Sequence, residues 1–250
     1  MATNEQLAQA EMKARGKPLQ KMFNQVPEKY DFLNRLMTLG LDEPWRKKAV
    51  KYVKEHSPSQ VMDLGTGTGD MAIRMALEMP QTKIIGYDFS EPMLEVARTK
   101  AQKHSISNIS FMEGDAAEMP FENNTFDVIG ISFAFRNMTY KNKNTSLYLH
   151  EMMRVIKPGG KLIAVESSQP KSKFIRFFLH LYLQYIISGI GGRLAKAKGA
   201  YHYLAYSAKK FYTTDELTDL LQDHGFGEVD HHPMFLGAAA ITIAQKPIHS

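Results

Sequence analysis

Short apolar runs alternate with longer segments of helical periodicity from Ser59 onwards. The runs read QVMDLG, KIIGYDF, ISFMEG, FDVIGISFAF and KLIAVES, and residues 70–79, 91–104 and 142–156 lie between them. This alternation is typical of a parallel sheet with helices on both faces. Two further strands near Glu228–His232 and Ala239–Gln245 complete a predicted seven-stranded sheet. We therefore expect an α/β domain over residues 59–250 with a doubly wound, mostly parallel sheet.

Residues 1–58 have the periodicity of helices rather than strands. The predicted helices are Glu5–Arg15, Glu28–Met37 and Asp42–His56, and Asp42 is the expected N-cap of the third. These residues are expected to form a helical N-terminal extension to the α/β domain.

One long apolar segment, Phe174–Ile190, interrupts the alternation within a predicted helical insertion at residues 171–210. Its polar residues recur every four positions and therefore share one narrow stripe of a helix: Arg176, His180, Gln184 and Ser188. At ~17 residues, with an arginine and a histidine inside, the segment is short for a membrane span. Two interpretations stay open, a lipid-facing flap that associates peripherally with a membrane and an ordinary core helix.

The composition excludes several classes of protein. Of the 250 residues, 44% are apolar and 23% are charged, which is ordinary for a globular protein. The chain has no cysteine, so disulfides, thiolate metal sites and a cysteine nucleophile are excluded. A net charge of +5 is too small to indicate a nucleic-acid partner. The polar residues 1–17 contain neither a secretory signal nor a membrane anchor, which predicts a cytoplasmic protein.

A glycine-rich turn follows the first strand. Residues 61–70 read VMDLGTGTGD, so Gly65, Gly67 and Gly69 lie where the next helix begins, and Asp63 precedes them by two residues. Glycines let the backbone approach a ligand where a Cβ atom would collide. A dinucleotide-binding turn has the spacing G-x-G-x-x-G, and an acid at the position of Asp63 would repel a phosphate. The acid favours instead a ligand with a cationic end, such as the ammonium or sulfonium of S-adenosylmethionine.

Two more strands end in carboxylates. Asp88 ends the strand IIGYD and lies at the distance along the chain where an acid accepts both hydroxyls of an adenosine ribose. Asp115 and Ala116 follow the next strand, where a short acid can accept from the adenine amine. Because ligands bind at the carboxyl ends of strands in open α/β sheets, the three strand ends predict one S-adenosylmethionine site.

The strand at residues 126–133 leads into Arg136 and Asn137. The residues just beyond that strand are expected to face the transferable methyl group. Arg136 and Asn137 can stabilise or position a substrate oxygen, such as an enolate or phenolate. The alternative for Arg136 is an ion pair with a nearby structural acid.

The chain resembles the C-methyltransferases of ubiquinone and menaquinone biosynthesis, a family with the class I S-adenosylmethionine-dependent fold. The resemblance extends from about Phe23 to Lys246. It rests on YDFLNRLMTLG at residues 30–40, Trp45-Arg46, EMPF at 118–121, NTFD at 124–127, FRNMT at 135–139, RVIKPGG at 154–160, Glu166 with Pro170, and Tyr203-Leu204 with Ser207.

This resemblance implies particular cofactor contacts and a reaction. The family's cofactor contacts fall by position on Thr68, Asp88, Asp115, Ala116 and Ser132. The implied reaction is attack of a quinol ring carbon, ortho to a hydroxyl, on the sulfonium methyl group, and it requires no metal.

Four residues are candidates for the face that meets the substrate: Tyr30, Asp31, Arg136 and Asn137. Tyr30 has an alternative interpretation as a half-buried helix residue. The N-terminal extension then lies on the substrate side of the cofactor.

The implied partner is a prenylated quinol or another small lipophilic molecule, with peripheral membrane association through residues 174–190 and no nucleic acid. The protein is then cytoplasmic or bound at the inner face of the membrane, and a homodimer is left open. Three other functions stay open: methylation of a sterol, phenol or lipid, methylation of RNA or protein, and a catalytically silent S-adenosylmethionine-binding subunit.

Overall fold

The computed structural model describes residue 31, residues 34–187 and residues 206–248. The predicted helix Glu5–Arg15, the candidate Tyr30 and the pair Tyr203-Leu204 lie outside these residues. The helices and strands are, in chain order, α1 (Asp42–Glu55), β1 (Gln60–Leu64), α2 (Asp70–Glu78), β2 (Lys83–Asp88), α3 (Glu91–Lys103), β3 (Ile109–Glu113), β4 (Phe126–Ser132), α4 (Phe135–Thr139), α5 (Thr145–Val155), β5 (Ile156–Ser167), α6 (Lys173–Leu181), a π-helical turn (Tyr182–Ile187), α7 (Thr214–Asp223), β6 (Val229–Met234), a 3-10 turn (Phe235–Gly237) and β7 (Ala239–Gln245).

One sheet of seven strands organises the described chain, in the order β3-β2-β1-β4-β5-β7-β6. The first five strands in this order run parallel, and β7 runs antiparallel to both of its neighbours. The prediction of a doubly wound, mostly parallel seven-stranded sheet is confirmed. The parallel strands all end at one edge of the sheet, which brings Asp63, Asp88 and Ser132 toward the same side.

Apolar residues on both faces of the central strands explain why the sheet is covered on both sides. Val61 of β1 packs with buried residues of α1 and α2, whereas its neighbour Met62 packs on the opposite face with residues of α5 and α7. Successive side chains of a strand point to opposite faces, so a continuous apolar run requires a helical layer on each face.

The N-termini of two helices differ in how they are capped. Thr213 caps α7 through a capping box, in which its hydroxyl accepts from the Glu216 amide and the Glu216 carboxylate accepts from the Thr213 amide. The assignment of Asp42 as the N-cap of α1 is wrong, because Leu41 occupies that position. The Asp42 carboxylate instead accepts a hydrogen bond from Arg46 at 2.8 Å, one turn further along the helix.

Helix α6 begins the predicted insertion and continues into the π-helical turn. The interpretation of this segment as a core helix is wrong for α6, because none of its residues is buried. Phe174, Phe177 and Phe178 are 72%, 58% and 52% exposed. Within the residues that the structure describes, we find no helix with the length and apolar character needed to cross a membrane.

Candidate active site

The turn between β1 and α2 has the conformation that its glycines permit. Gly65 and Gly69 have φ values of 68° and 83°, in the left-handed region that side chains disfavour. A Cβ atom on Gly65 would lie 2.6 Å from the Cβ atom of Ala134, and one on Gly69 would lie 2.8 Å from that of Ala97. Glycine is therefore required at both positions, and the turn lies at the carboxyl edge of the sheet.

Asp63 lies at the end of β1 beneath this turn. Its Oδ2 atom accepts from the Thr66 hydroxyl at 2.6 Å and from the Ala72 amide at 3.0 Å. Its Oδ1 atom is buried and has no hydrogen-bond partner among the described residues. Burial raises the pKa of this carboxyl to about 7. A cationic group beside Oδ1 would satisfy the atom and favour the ionised form.

Asp88 ends β2 and is also buried. Its carboxylate accepts from the Gly67 amide at 2.9 Å and from the Ser90 amide at 3.0 Å. Burial raises the pKa of Asp88 to about 6. Each carboxylate oxygen accepts more than one hydrogen bond, so both backbone bonds and two ribose hydroxyls can share this side chain.

Asp115 and Ala116 follow β3 at the same edge. The Asp115 side chain is exposed, and its Oδ1 atom accepts from the Ala117 amide at 2.9 Å. Its backbone carbonyl accepts from the Tyr87 hydroxyl at 3.2 Å, which ties the end of β3 to β2. The expected adenine contact at these two residues stays a prediction.

The charges and the orphaned oxygen fit S-adenosylmethionine. Asp63 would hold the cationic amino-acid end of S-adenosylmethionine, and Asp88 would hold its ribose. The backbone of the glycine turn would lie against the bound molecule. When bound, S-adenosylmethionine supplies an electrophilic methyl group on a positively charged sulfur.

A polar bridge connects the N-terminal extension to the glycine turn. The Thr68 hydroxyl donates to Asp31 at 2.6 Å, and the Lys100 ammonium contacts both Asp31 and Asp70 at 2.7 Å. The structure therefore brings Asp31 to the cofactor turn through Thr68. Its predicted role on the substrate face stays a prediction.

Arg46 is a further residue of the site, and the sequence indicated it only as part of the motif Trp45-Arg46. This buried guanidinium donates to the Ser132 hydroxyl at 3.1 Å, pairs with Asp42, and lies 5.6 Å from the centre of the Phe133 ring. Ser132, a predicted cofactor contact, is thus held by α1. The spacing of Asp42 and Arg46 along a helix is the signal that could have revealed the pair.

Arg136 lies in α4, directly beyond β4, and is 3% exposed. Its Nη1 atom donates to Glu166 and to the Ser167 hydroxyl at 2.8 and 2.7 Å. The alternative interpretation, an ion pair with a nearby acid, is observed. The Nε atom is buried without a hydrogen-bond partner among the described residues. Asn137 is the next residue of α4, and its predicted role stays a prediction.

A pocket that is partly open to solvent lies between the ends of β4 and β5, residues 34–39 and α6. It is lined by Asn34, Met37, Thr38, Leu39, Trp45, Phe133, Arg136, Ser167, Ser168, Leu179, Tyr182, Leu183, Ala208, Phe235 and Ala238. Apolar walls with a few polar groups are typical of a site for an apolar ring compound.

The fold and the site together define a class I S-adenosylmethionine-dependent methyltransferase. Residues 10–246 match the model of the ubiE/COQ5 methyltransferase family, and the chain belongs to that family.

Relatives of known name are similar over nearly the whole chain. The demethylmenaquinone methyltransferase of Thermus thermophilus is 35% identical over 226 residues, which cover 90% of this chain and 100% of that protein. The ubiquinone/menaquinone biosynthesis C-methyltransferase UbiE of Geotalea daltonii is 34% identical over 234 residues, which cover 93% of this chain and 97% of that protein.

Solved structures share the fold at low sequence identity. An S-adenosylmethionine-dependent methyltransferase from Aquifex aeolicus has a TM-score of 0.55 at 19% identity, over 79% of this chain and 88% of that chain. Phosphoethanolamine N-methyltransferase 2 of Haemonchus contortus, in complex with S-adenosyl-L-methionine, has a TM-score of 0.57 at 16% identity, over 80% of this chain and 52% of that chain.

The raised pKa of Asp63 predicts that cofactor binding releases a proton. Between about pH 4 and pH 7 the folded protein holds this proton more tightly than the unfolded chain, so the contribution of Asp63 to stability falls as pH rises. A bound cation favours the carboxylate, so affinity for S-adenosylmethionine should rise with pH across the same range. Titration calorimetry in buffers of different ionisation enthalpy measures both effects.

Asp63→Asn should remove the proton release and weaken binding by about tenfold or more, because an amide replaces the charge. The amide oxygen can keep the bonds from Thr66 and Ala72, so the variant should stay folded. Asp127→Asn, which changes a carboxylate that contacts Ser59 and Lys157, serves as the control. Unchanged affinity and proton release in Asp63→Asn would show that the cation does not lie at Asp63.

Proposed function

We propose that this protein transfers the methyl group of S-adenosylmethionine to a ring carbon of a prenylated quinol. The substrate is demethylmenaquinol, which becomes menaquinol, or the corresponding quinol of the ubiquinone pathway. Two relatives with about a third of their residues identical carry names for these reactions, which supports the proposal.

The observation that carries the proposal is the pocket beyond β4. Phe133 and Arg136 line it directly after Ser132, the position expected to contact the cofactor. An aromatic ring can pack on the apolar walls while Arg136 and Ser167 meet its hydroxyl groups. A pocket of this character favours a quinol over a polar macromolecular substrate.

Arg136 acts on the ring oxygen in this proposal. Its positive charge stabilises phenolate character at a quinol hydroxyl, which raises the electron density of the ring carbon ortho to it. That carbon would form the new bond to the methyl carbon as the bond between this methyl carbon and sulfur breaks, with S-adenosylhomocysteine as the leaving group. The ring proton would then leave to water or to a nearby base. Glu166 is a positioning residue, because its carboxylate holds the Arg136 side chain and backbone amide at 2.8 and 3.1 Å.

Methyl transfer to a panel of substrates tests the function directly. The purified protein is incubated with methyl-labelled S-adenosylmethionine and with prenylated demethylated naphthoquinols and benzoquinols, a sterol, a simple phenol, RNA and protein. We expect label on a ring carbon of a prenylated quinol only. Label on another class, or no transfer to any substrate, would contradict the proposal.

The ion pair of Arg136 requires a paired design, since removing Arg136 alone leaves the Glu166 charge buried and costs about 3–5 kcal/mol of stability. The double variant Arg136→Met with Glu166→Gln removes both charges. We expect its kcat on the quinol to fall by about 10²–10³ with little change in cofactor affinity, because only the developing charge loses its partner. Steady-state kinetics and cofactor titration measure the two quantities.

Glu166→Gln alone is the control, since it keeps the guanidinium and an amide oxygen that can accept from it. Its melting temperature should fall because the arginine charge is left buried without a counter-charge, but it should lose far less activity than the double variant. If the double variant turns over at the wild-type rate with saturating quinol, Arg136 has only a structural role.

Helix α6 supports association with an anionic membrane surface. Its three exposed phenylalanines form one aromatic cluster, with ring centres 4.8 Å apart for Phe174 and Phe178 and 5.5 Å apart for Phe177 and Phe178. Arg176 on the polar stripe turns back to the carbonyl of Pro170 at 2.7 Å. The exposed Lys171 and Lys173 adjoin the cluster, and an apolar face beside basic side chains is typical of helices that lie in a membrane interface.

Phe178→Ser tests this association. Because Phe178 is half exposed, the melting temperature should change little, whereas flotation with anionic liposomes and activity on long-tailed quinols should both fall. Leu147→Ser, at 54% exposure on α5, is the matched control. A collapse of stability, or flotation equal to that of the wild type, would refute a role of this face at the membrane.

A further inference from the structure

The exposure of the lining residues locates the mouth of the pocket. Asn34, Phe133, Arg136, Leu183 and Ala208 are each less than a tenth exposed. Leu39 and Phe235, by contrast, are 59% and 51% exposed, and they are the lining residues that the structure shows as exposed. The pocket therefore opens between the turn that carries Leu39 and the turn between β6 and β7.

A row of aromatic rings connects the buried end of the pocket to this mouth. The ring of Trp45 lies 6.4 Å from that of Phe133 and 6.4 Å from that of Phe235, centre to centre. Phe133 follows the end of β4 and is 6% exposed, whereas Phe235 is half exposed. The three rings form one continuous apolar wall from the buried end of the pocket, at Phe133, to the surface.

Backbone strain is concentrated along the same wall. Among the described residues, eight that are not glycine have positive φ, and the apolar ones are Leu39, Phe133, Phe235 and Leu236, at 56°, 57°, 43° and 57°. Three of these four line the pocket, and the fourth is next to Phe235. Bulky residues adopt this conformation at an energetic cost and keep it where the surrounding structure enforces it, most often at functional sites.

The turn that holds Phe235 is fixed from both sides. Met234 and Ala239 pair across it at the end of the β6–β7 ladder, and both are buried. A Cβ atom on Gly237 would lie 3.2 Å from the Cα atom of Pro170, so the turn packs closely on the segment that precedes α6. The backbone position of Phe235 is thus determined by the packing of the turn on the rest of the fold.

We propose that Phe235 is a specificity-determining residue that guides the prenyl tail of the substrate out of the pocket, along Phe133 and Trp45 and past Leu39. This inference rests on the proposed function. When the quinol ring is bound at Arg136, its apolar tail can lie along the row of aromatic rings inside the pocket. The tail then leaves the pocket between the exposed side chains of Leu39 and Phe235. An apolar chain gains affinity in proportion to the area it buries along such a wall.

The dependence on tail length tests the proposal. The wild type and Phe235→Ala are compared on quinols with no tail and with tails of one, two and more isoprene units, in detergent micelles without membranes. We expect kcat/KM of Phe235→Ala to stay within about twofold of the wild type for the tail-less ring and to fall about tenfold or more for the longer tails. The loss should appear mainly in KM, since the reacting atoms keep their partners.

Leu236→Ala is the matched control, because Leu236 shares the strained turn and is 72% exposed but does not line the pocket. Leu39→Ala, on the facing side of the mouth, should reproduce the dependence on tail length and replaces Phe235→Ala if that variant melts early. Equal losses for all tails, or none, would overturn the inference while the proposed function stands. No methylation of any quinol by the wild type would instead overturn the proposed function.

Discussion

Burial of two carboxylates at the carboxyl edge of the sheet is the constraint on which the rest of the site depends. Asp63 and Asp88 lie where water is excluded, and burial raises the pKa of each. The chain compensates with backbone amides, which the glycine turn and the first residues of α2 and α3 bring to the carboxylates. One oxygen of Asp63 has no hydrogen-bond partner among the described residues, which costs free energy, and a cationic ligand beside it would offset that cost.

The same edge carries a second group of charges, some buried and some half-buried, that joins the glycine turn to the N-terminal extension. Arg46 of α1 holds Ser132, and Lys100 of α3 holds both Asp31 and Asp70. The N-terminal extension is therefore connected to the glycine turn by hydrogen bonds and ion pairs, and residues 34–45 of the same extension contribute to the wall of the pocket. A cofactor bound at the turn and a substrate bound in the pocket would thus share the residues that hold the extension in place.

Much of this arrangement is predictable from local sequence. The alternation of apolar runs and helical segments predicts the sheet, and the glycine turn with Asp63 and Asp88 predicts the cofactor edge, because both signals are short-range. The partner of Arg136 cannot be identified from local sequence. Glu166 is thirty residues away along the chain, and only the register of β4 and β5 brings it near. The assignment of Asp42 as a cap failed for a local reason, because Asp42 is already the first residue of the helix and its carboxylate pairs with the buried Arg46 one turn further along.

The wall of the pocket could not be predicted at all. Leu39, Phe133 and Phe235 come from three distant parts of the chain. Their residue types do not predict a left-handed backbone conformation, which glycine and asparagine usually adopt. The outward orientation of Phe174, Phe177 and Phe178 is similarly a tertiary result. An apolar helix with one polar stripe is compatible with a core position, and only the contacts of Arg176 and His180 with residues 169–170 turn the stripe inward.

A crystal structure of the ternary complex with S-adenosylhomocysteine and a prenylated quinol would test the central claim most directly. We expect a quinol hydroxyl at the Arg136 guanidinium, the adenosine ribose at Asp88, and the reacting ring carbon about 3–3.5 Å from the position that the transferred methyl group occupies in S-adenosylmethionine. A quinol ring bound outside the pocket lined by Phe133 and Arg136, or a nucleoside that makes no contact with Asp88, would contradict it.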